Sequence, residues 1–174
     1  MLAREPLDLE AIDELVDVDA FIRYWATESL LGFWDGYAQN QNNYFVFRGR
    51  ASKRFRFIPW GVDSAFETRM PIDPYRIEYK CLHHRGLLAN RLYEDAAMRE
   101  RYRVTLVELL ETAWDEASLL GQVEAVASLV RGHLHPDQDE HDDGLEEVRA
   151  FIRERRGVIE DELTEWPLDP SPPN

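Results

Sequence analysis

The chain has 174 residues, of which 44% are hydrophobic, so it is long enough to bury the core of one domain. Its 34 acidic and 20 basic residues give a net charge of −14, which argues against non-specific binding to nucleic acid or to anionic membranes. The single cysteine, Cys81, excludes an internal disulfide, and no stretch has the length of a membrane-spanning helix or the apolar core of a signal peptide. The sequence therefore predicts neither a nucleic-acid nor a membrane partner, and it assigns no compartment.

The front of the chain is predicted to be helical. Residues 8–15 are typical of a short helix with acidic residues in its first turn. A second helix is predicted to begin near Asp17 or Asp19, either of which can cap it. Its apolar residues recur every three or four positions as far as Trp34, so Asp35 lies where the helix gives way to a loop.

Two aromatic-rich runs follow, residues 44–48 and 54–60. The sequence Gly-Arg-Ala-Ser-Lys between them predicts a β-hairpin with a slightly long turn. In the second run Phe55 and Phe57 alternate with arginines, so one face is expected to be buried and the other to face water. Because aromatic rings dominate small cores, we expect these two rings and Trp60 to pack against the second helix.

The remainder of the chain is predicted to be helical, because its apolar residues follow the period of a helix. Four helices are predicted, over residues 86–93, 95–114, 116–132 and 143–163. The acidic stretch HLHPDQDEHDDG joins the last two, and residues 166–174 are predicted to be a disordered, proline-rich tail. The fold class is therefore mainly α with one β-hairpin, in a single domain over residues 1–165.

Polar residues on both sides of the hairpin indicate a possible chemical function. Asp35 and Asn40 have the spacing Asp-x-x-x-x-Asn, which is typical of the catalytic loop of protein kinases. In that loop the aspartate accepts the proton of the attacking hydroxyl and the asparagine binds magnesium. A second aspartate then follows a hairpin and binds the metal that bridges the phosphates; here Asp63 follows the hairpin. The spacing alone occurs by chance in many proteins, and the order of all three features is more specific.

These residues belong to a longer pattern that resembles the CotH family, atypical protein kinases named for a bacterial spore-coat protein. The core of that family reads approximately Trp-Asp-x-Tyr-x-x-Asn-x-x-Asn-Tyr-Tyr-x-Tyr, followed by Phe-x-Pro-Trp-Asp-x-Asp-x-x-Phe. The resemblance extends over roughly residues 10–165. The matching positions are Trp34, Asp35, Asn40, Asn43, Tyr44, Pro59, Trp60, Asp63 and Phe66.

The resemblance implies a protein-kinase-like C-terminal lobe that, when complete, uses ATP and Mg²⁺ to phosphorylate Ser or Thr in partner proteins. It implies that Asp35 is the catalytic base and that Asp63 and Asn40 bind magnesium. Family members are often exported or associated with spores and cell surfaces.

Two features depart from the family pattern. The first acid of Pro-Trp-Asp-x-Asp is replaced by Gly61, so we assign the metal role to Asp63. The first 34 residues contain no lysine, and their first glycine is Gly32, so this chain offers no strand lysine or phosphate-covering loop ahead of Asp35. We therefore expect a C-terminal lobe without its N-terminal lobe, which is inactive alone. It is either a piece of a longer protein or a remnant that binds a protein partner.

Structural alternatives exist for the candidate residues. An aspartate before glycine is typical of a turn, and asparagines are typical of loops, so a helical domain with ordinary turn residues is a third hypothesis. Residues 44–62 contain five bases and no acid, which is suited to binding phosphate or an acidic partner, or to guarding strand edges with charge. Weaker candidates for contact with the nucleotide are Asn43, Lys53 and Arg56.

Two further clusters are interpreted as solvated loops. HLHPDQDEHDDG contains histidines and acids, but a calcium loop that begins at Asp139 would need glutamate where Ala150 stands. Nothing in that stretch predicts a closed zinc ligand set. The second cluster is a small basic one, formed by Lys80, His83, His84 and Arg85.

Overall fold

The computed structural model describes residues 6–67, 85–134 and 141–167. Within these ranges the chain forms seven α-helices and one two-stranded antiparallel sheet, which confirms the prediction of a mainly helical fold with one hairpin. Two short 3₁₀ turns span Val62–Ser64 and Arg131–His133. The elements in chain order are α1 (Leu9–Leu15), α2 (Val18–Leu31), α3 (Tyr37–Asn40), β1 (Tyr44–Arg48), β2 (Phe55–Pro59), α4 (Leu87–Glu94), α5 (Ala96–Thr112), α6 (Glu116–Val130) and α7 (His141–Thr164).

Aspartates begin four of the helices. In each case the aspartate side chain accepts a hydrogen bond from a backbone N–H in the first turn, which satisfies a donor that has no partner within the helix. At α2 the cap is Asp17, whose carboxylate lies 3.2 Å from the Ala20 nitrogen. Some of the acidic residues that give the chain its negative charge therefore determine where helices start. The four capping residues are Asp8, Asp17, Asp95 and Asp115.

Helix α2 is the centre of the core, and it packs most extensively against α5. Trp25 of α2 is 0% exposed and stacks on Tyr102 of α5, with ring centroids 3.8 Å apart. The Tyr102 hydroxyl donates a 2.8 Å hydrogen bond to the Ser29 hydroxyl, so the buried polar atom at this contact has a partner. Trp166, predicted as the first residue of the tail, packs its ring 5.5 Å from that of Tyr93.

The last helix, α7, binds the end of α2 through a buried arginine. Arg155 is 5% exposed, and its guanidinium donates to the carbonyl oxygens of Ser29 and Leu30, the latter at 2.9 Å. The same guanidinium lies 4.8 Å from the centroid of the Phe151 ring. The final carbonyls of a helix carry partial negative charge, so a cation here is both hydrogen-bonded and electrostatically favourable.

The predicted hairpin is confirmed, and it docks on the junction between α1 and α2. Its register pairs Tyr44 with Pro59 and Arg48 with Phe55. The Asp17 nitrogen donates a 3.0 Å bond to the Phe55 carbonyl. Two ion pairs and one half-buried ring complete the contact. These are Arg54 with Asp13 at 2.9 Å, Arg56 with Asp17 at 2.6 Å, and Phe57 with its centroid 4.8 Å from that of Phe21.

The prediction that Trp60 packs against α2 is wrong. Trp60 is 60% exposed, and its ring contacts Phe45 at 5.1 Å. Side chains alternate between the two faces of a strand, so Trp60 shares the face of Arg56 and not that of Phe57. Phe55 is half-buried and its ring lies 5.7 Å from the Arg48 guanidinium. We call the exposed side the outer face of the hairpin; its large apolar residues are Phe45, Phe47, Ile58 and Trp60.

The predicted helix boundaries agree with the structure to within about three residues; the largest difference is the end of α2, which lies at Leu31 and not at Trp34. Helix α3 is an element that the sequence did not predict. Helix α7 starts at His141, inside the stretch predicted as an acidic linker. None of the helices in the described ranges is long and apolar enough to cross a membrane. Several predictions concern residues outside those ranges: Lys80, Cys81, His83, His84, Asp139 and the tail from residue 168 onward.

Two tryptophans, one buried and one exposed, allow this packing to be tested. Trp25→Ala is expected to lower the free energy of unfolding by about 3–5 kcal/mol, because it leaves a cavity between α2 and α5. Trp60→Ala removes the same atoms from a mostly solvated position and is expected to change the free energy of unfolding by about 1 kcal/mol or less. Urea denaturation measures both. Equal losses in the two variants would contradict this assignment of the core.

Candidate functional site

The segment that carries Asp35 leaves α2 through a glycine and is anchored on both sides. Gly32 has φ of +61°, a left-handed conformation that favours glycine, and a Cβ there would lie 2.7 Å from the Phe151 ring. Phe33 and Trp34 are buried, and the Trp34 indole nitrogen donates a 2.6 Å bond to the Glu67 carboxylate. Asp35 is half-buried, so its position is determined by buried neighbours while its side chain remains accessible.

Three asparagine side chains surround the Asp35 carboxylate. The Asn40 amide donates to Oδ1 at 2.6 Å, and the Asn43 amide donates to Oδ2 at 2.6 Å. Asn42 lies 3.3 Å from both oxygens. Asp35 and Asn40, paired by spacing in the sequence, are therefore in direct contact. The amide donors restrict the rotation of the carboxylate.

Asn43 links this carboxylate to the end of the hairpin. Its own φ is +46°, and its carbonyl accepts a 2.9 Å bond from the Trp60 nitrogen. A Cβ placed on Gly61 would lie 3.5 Å from the Asn43 Oδ1 and 3.4 Å from the Asp63 Oδ1, so both oxygens flank the same point of the backbone. The structure thus brings Asp35, Asn43 and Asp63 to one side of the domain, and their chemical roles stay predictions.

Gly61 stands where the family pattern has an acid, and the local backbone is suited to glycine. Its φ is +54°, which costs a residue with a Cβ more than it costs glycine. Asp63 follows in the 3₁₀ turn Val62–Ser64 and is exposed. On this segment Asp63 is therefore the acid available to a ligand.

The residue that places α3 is Glu28, which the sequence did not identify as part of the site. Glu28 is 3% exposed and lies on α2. Its carboxylate accepts bonds from the Tyr37 nitrogen at 3.0 Å, the Ala38 nitrogen at 2.8 Å and the Tyr24 hydroxyl. These two backbone groups are the first N–H donors of α3, which have no acceptor inside the helix. A signal was present in the sequence: Glu28 follows Trp25 by three residues, on the apolar stripe of α2.

The environment of Glu28 changes its acid–base behaviour. Burial raises the pKa of the Glu28 carboxyl to about 7, although the bonds from Tyr24, Ala38 and Tyr37 favour the charged form and partly oppose this. Burial and the nearby Glu28 charge also raise the pKa of the Tyr24 hydroxyl, which therefore remains a donor.

The structure does not bring the weaker basic candidates to Asp35. Lys53 lies in the turn of the hairpin, at the opposite end from Asn43, since the register pairs Arg48 with Phe55 next to that turn. The Arg56 guanidinium is paired with the Asp17 carboxylate. In these positions neither Lys53 nor Arg56 contacts the Asp35 carboxylate.

No group of three or more His, Cys, Asp or Glu side chains in the described ranges is arranged to hold a metal ion, so oxygens of asparagine would have to complete a site at Asp63. Two surface cavities lie elsewhere. One is lined by Trp114 and Arg156, and the other by Ile22 and Arg101. Neither of these two cavities includes Asp35 or Asp63.

The comparisons with known proteins agree with the pattern around Asp35. The chain matches the family described as CotH kinase protein over residues 8–160. It is similar to the protein named Invasin CotH2 of Rhizopus delemar, with 23% identity over 134 residues that cover 72% of this chain and 23% of that protein. It is also similar to Spore coat protein homolog 1 of the same fungus, with 25% identity over 119 residues that cover 63% of this chain and 20% of that protein. The chain thus spans about a fifth of the length of these curated relatives.

Raising the pH from about 4.5 to about 7 is expected to reduce stability through Glu28. Its pKa in the folded chain lies above the ordinary value of 4.5, so in this window the folded state keeps a proton that the unfolded state has released. The contribution is complete below the unfolded pKa and is lost as the pH rises through the folded one, on the order of 3 kcal/mol. Urea denaturation across the window measures it.

Glu28→Gln is the control for this measurement, because glutamine has a similar shape and does not titrate. All other titrating groups are common to both proteins, so the difference between the two pH profiles isolates Glu28. Parallel profiles would show that the Glu28 carboxyl titrates at its ordinary pKa.

Proposed function

This chain belongs to the CotH kinase protein family, and we propose that it is the C-terminal-lobe portion of a protein-kinase-like enzyme. The complete enzyme transfers phosphate from ATP to Ser or Thr of a partner protein. The observation that carries the proposal is the direct contact of Asp35 with the amides of Asn40 and Asn43, beside Asp63. The kinase-like order of aspartate, asparagine, hairpin and second aspartate therefore corresponds to one surface.

Asp35 is assigned as the general base. A base must present a free lone pair to the hydroxyl whose proton it accepts, at hydrogen-bond distance from that oxygen. The amides of Asn40 and Asn43 each donate a short bond to one carboxylate oxygen, and Asn42 lies at the longer distance of 3.3 Å from both oxygens, so an entering hydroxyl would take the place of the Asn42 contact. A serine or threonine hydroxyl that enters from solvent thus meets a carboxylate of fixed orientation.

The side chains around Asp63 fit a magnesium ion by their chemistry. Carboxylate and amide oxygens are suited to this hard cation. The NH₂ groups of Asn40 and Asn43 point to Asp35, so their amide oxygens are available for other contacts, and the Asn43 oxygen lies near Asp63 beside Gly61. Asp63 and the Asn40 oxygen would hold the ion. When bound, it would neutralise charge on the nucleotide phosphates.

The rest of the nucleotide site is proposed to come from outside this chain. The matched relatives are several times longer than this chain. No lysine precedes Asp35 in the chain to anchor phosphates. We therefore expect the chain by itself to be inactive as a kinase.

Magnesium or manganese is expected to raise the melting temperature of this chain. A single acid with an amide oxygen makes a weak oxygen site, with an affinity on the order of millimolar. At about ten times the dissociation constant, binding stabilises the folded state by about 1.4 kcal/mol, or about 2–6 °C for a domain of this size. Asp63→Ala is expected to remove the rise, as measured by thermal denaturation with and without the ion.

Asp161→Ala is the matched control, since it removes one exposed acid from α7, far along the chain from the site. It should leave the rise intact. Equal effects of the two variants would mean that the ion binds the diffuse negative charge of the chain.

In a longer protein that carries this domain, Asp35→Asn is expected to abolish incorporation of labelled phosphate from ATP.

A second candidate function is a non-catalytic module that binds a protein partner through the hairpin. The outer face of the hairpin favours it, since Phe45 and Phe47 are each 53% exposed. Within the described ranges β1 pairs only with β2, so its other edge offers free backbone groups. Lys53 in the turn adds positive charge. An extended segment that alternates acidic and apolar residues fits this edge by strand addition.

This alternative is tested with a synthetic peptide of alternating aspartate and valine. The peptide is expected to shift the backbone amide signals of β1 in NMR spectra, and Lys53→Glu is expected to weaken the effect by reversing a charge. A peptide with lysine in place of aspartate is the matched control and should leave the spectrum unchanged. Shifts that are equal for both peptides, or absent with both, would contradict a docking role for the hairpin.

A further inference from the structure

We propose that Glu28 is a positioning residue for the candidate site, and that it acts by holding α3 so that Asn40 and Asn42 meet the Asp35 carboxylate. The importance of this role for phosphate transfer rests on the proposed function. The geometric claim itself, that a buried carboxylate of α2 sets the distance between Asp35 and the asparagines, concerns only groups that the structure describes.

The contact between Glu28 and α3 is close and specific. The two carboxylate oxygens accept from Tyr37 and Ala38, one oxygen to each backbone nitrogen, at 3.0 and 2.8 Å. The residue before these donors is Gly36, where a Cβ would lie 2.4 Å from the Glu28 Oε1. Any side chain at this position would displace the carboxylate or the backbone, so the approach requires glycine.

Helix α3 connects this contact to the Asp35 cluster. Asp35 immediately precedes Gly36, and the Gly36 carbonyl accepts from the Asn40 nitrogen at 3.0 Å and from the Asn42 nitrogen at 3.5 Å. The asparagines are thus attached to the same short turn whose first N–H groups Glu28 binds. A shift of α3 along or away from α2 would change the distances from both amides to Asp35.

The opposite side of α3 is held by the start of α4. The Leu88 nitrogen donates a 2.8 Å bond to the Tyr37 hydroxyl, and the Gly86 nitrogen donates a 2.8 Å bond to the Ala38 carbonyl. These bonds limit how far α3 can move, and Glu28 decides where it lies against α2. With only four residues, α3 lacks the length to be stable by itself, so its position depends on such external partners.

The side-chain amide signals of Asn40 and Asn42 report this geometry directly in NMR spectra, because both side chains donate to the Asp35 carboxylate. Glu28→Gln places an NH₂ group against one of the two α3 donors, so one of those donors loses its acceptor. We expect both amide signals to move toward the positions of exposed asparagine side chains. Tyr24→Phe removes one partner of the Glu28 carboxylate and should cause a smaller change in the same direction.

Ser29→Ala is the matched control. It removes the hydroxyl contact with Tyr102 from the neighbouring position of α2 and leaves the α3 contacts untouched. It should destabilise the chain without moving the asparagine signals. If Glu28→Gln, or Tyr24→Phe where the former does not fold, leaves the signals as Ser29→Ala does, Glu28 is only a stabilising residue and the proposal is wrong.

The experiment separates this inference from the proposed function. The asparagine signals are measured without metal or nucleotide, so they test the position of α3 alone. A wild-type chain that shows no magnesium-dependent rise in melting temperature, but whose asparagine signals move in Glu28→Gln, would support the positioning role and contradict the metal site.

Discussion

A buried carboxylate that must be hydrogen-bonded determines the shape of this protein around Asp35. The apolar stripe of α2 carries Glu28 into the interior, where a charged or polar group without partners costs several kcal/mol. The donors come from the chain that follows: it leaves α2 at Gly32 and returns with the first N–H groups of α3 facing Glu28. Because Asp35 lies within this return, the requirement to satisfy Glu28 also places the candidate base.

The hairpin contributes the second half of the site, and different forces attach it and orient it. The Phe57 ring packs against Phe21 and Tyr37, both at 4.8 Å, and partial burial of such a ring is worth about 2 kcal/mol. The pairs of Arg54 with Asp13 and Arg56 with Asp17 are partly exposed and are worth about 0–1 kcal/mol each. The ring therefore supplies most of the stabilisation, and the ion pairs define the orientation in which Asn43 reaches Asp35.

Much of the fold followed from local patterns in the sequence. Apolar periodicity predicted the long helices, a capping aspartate predicted the start of α2, and the aromatic runs predicted the hairpin. Helix α3 was missed because four residues are too short for a periodic signal, and its stability comes from Glu28 and α4. Trp60 was misplaced because its aromatic character was given more weight than strand alternation, which assigns it to the face of Arg56.

The candidate site, like the fold, was predictable from the sequence only in part. The sequence by itself determined the family, the types of side chain and the order of Asp35, Asn40 and Asp63, because these are properties of spacing along the chain. Only the tertiary structure decided that three asparagine amides meet on one carboxylate, and that Arg56 is held by Asp17 instead. The reason is physical: the partner of a polar group depends on which segments packing brings within about 3 Å, and that distance is not encoded in any local pattern.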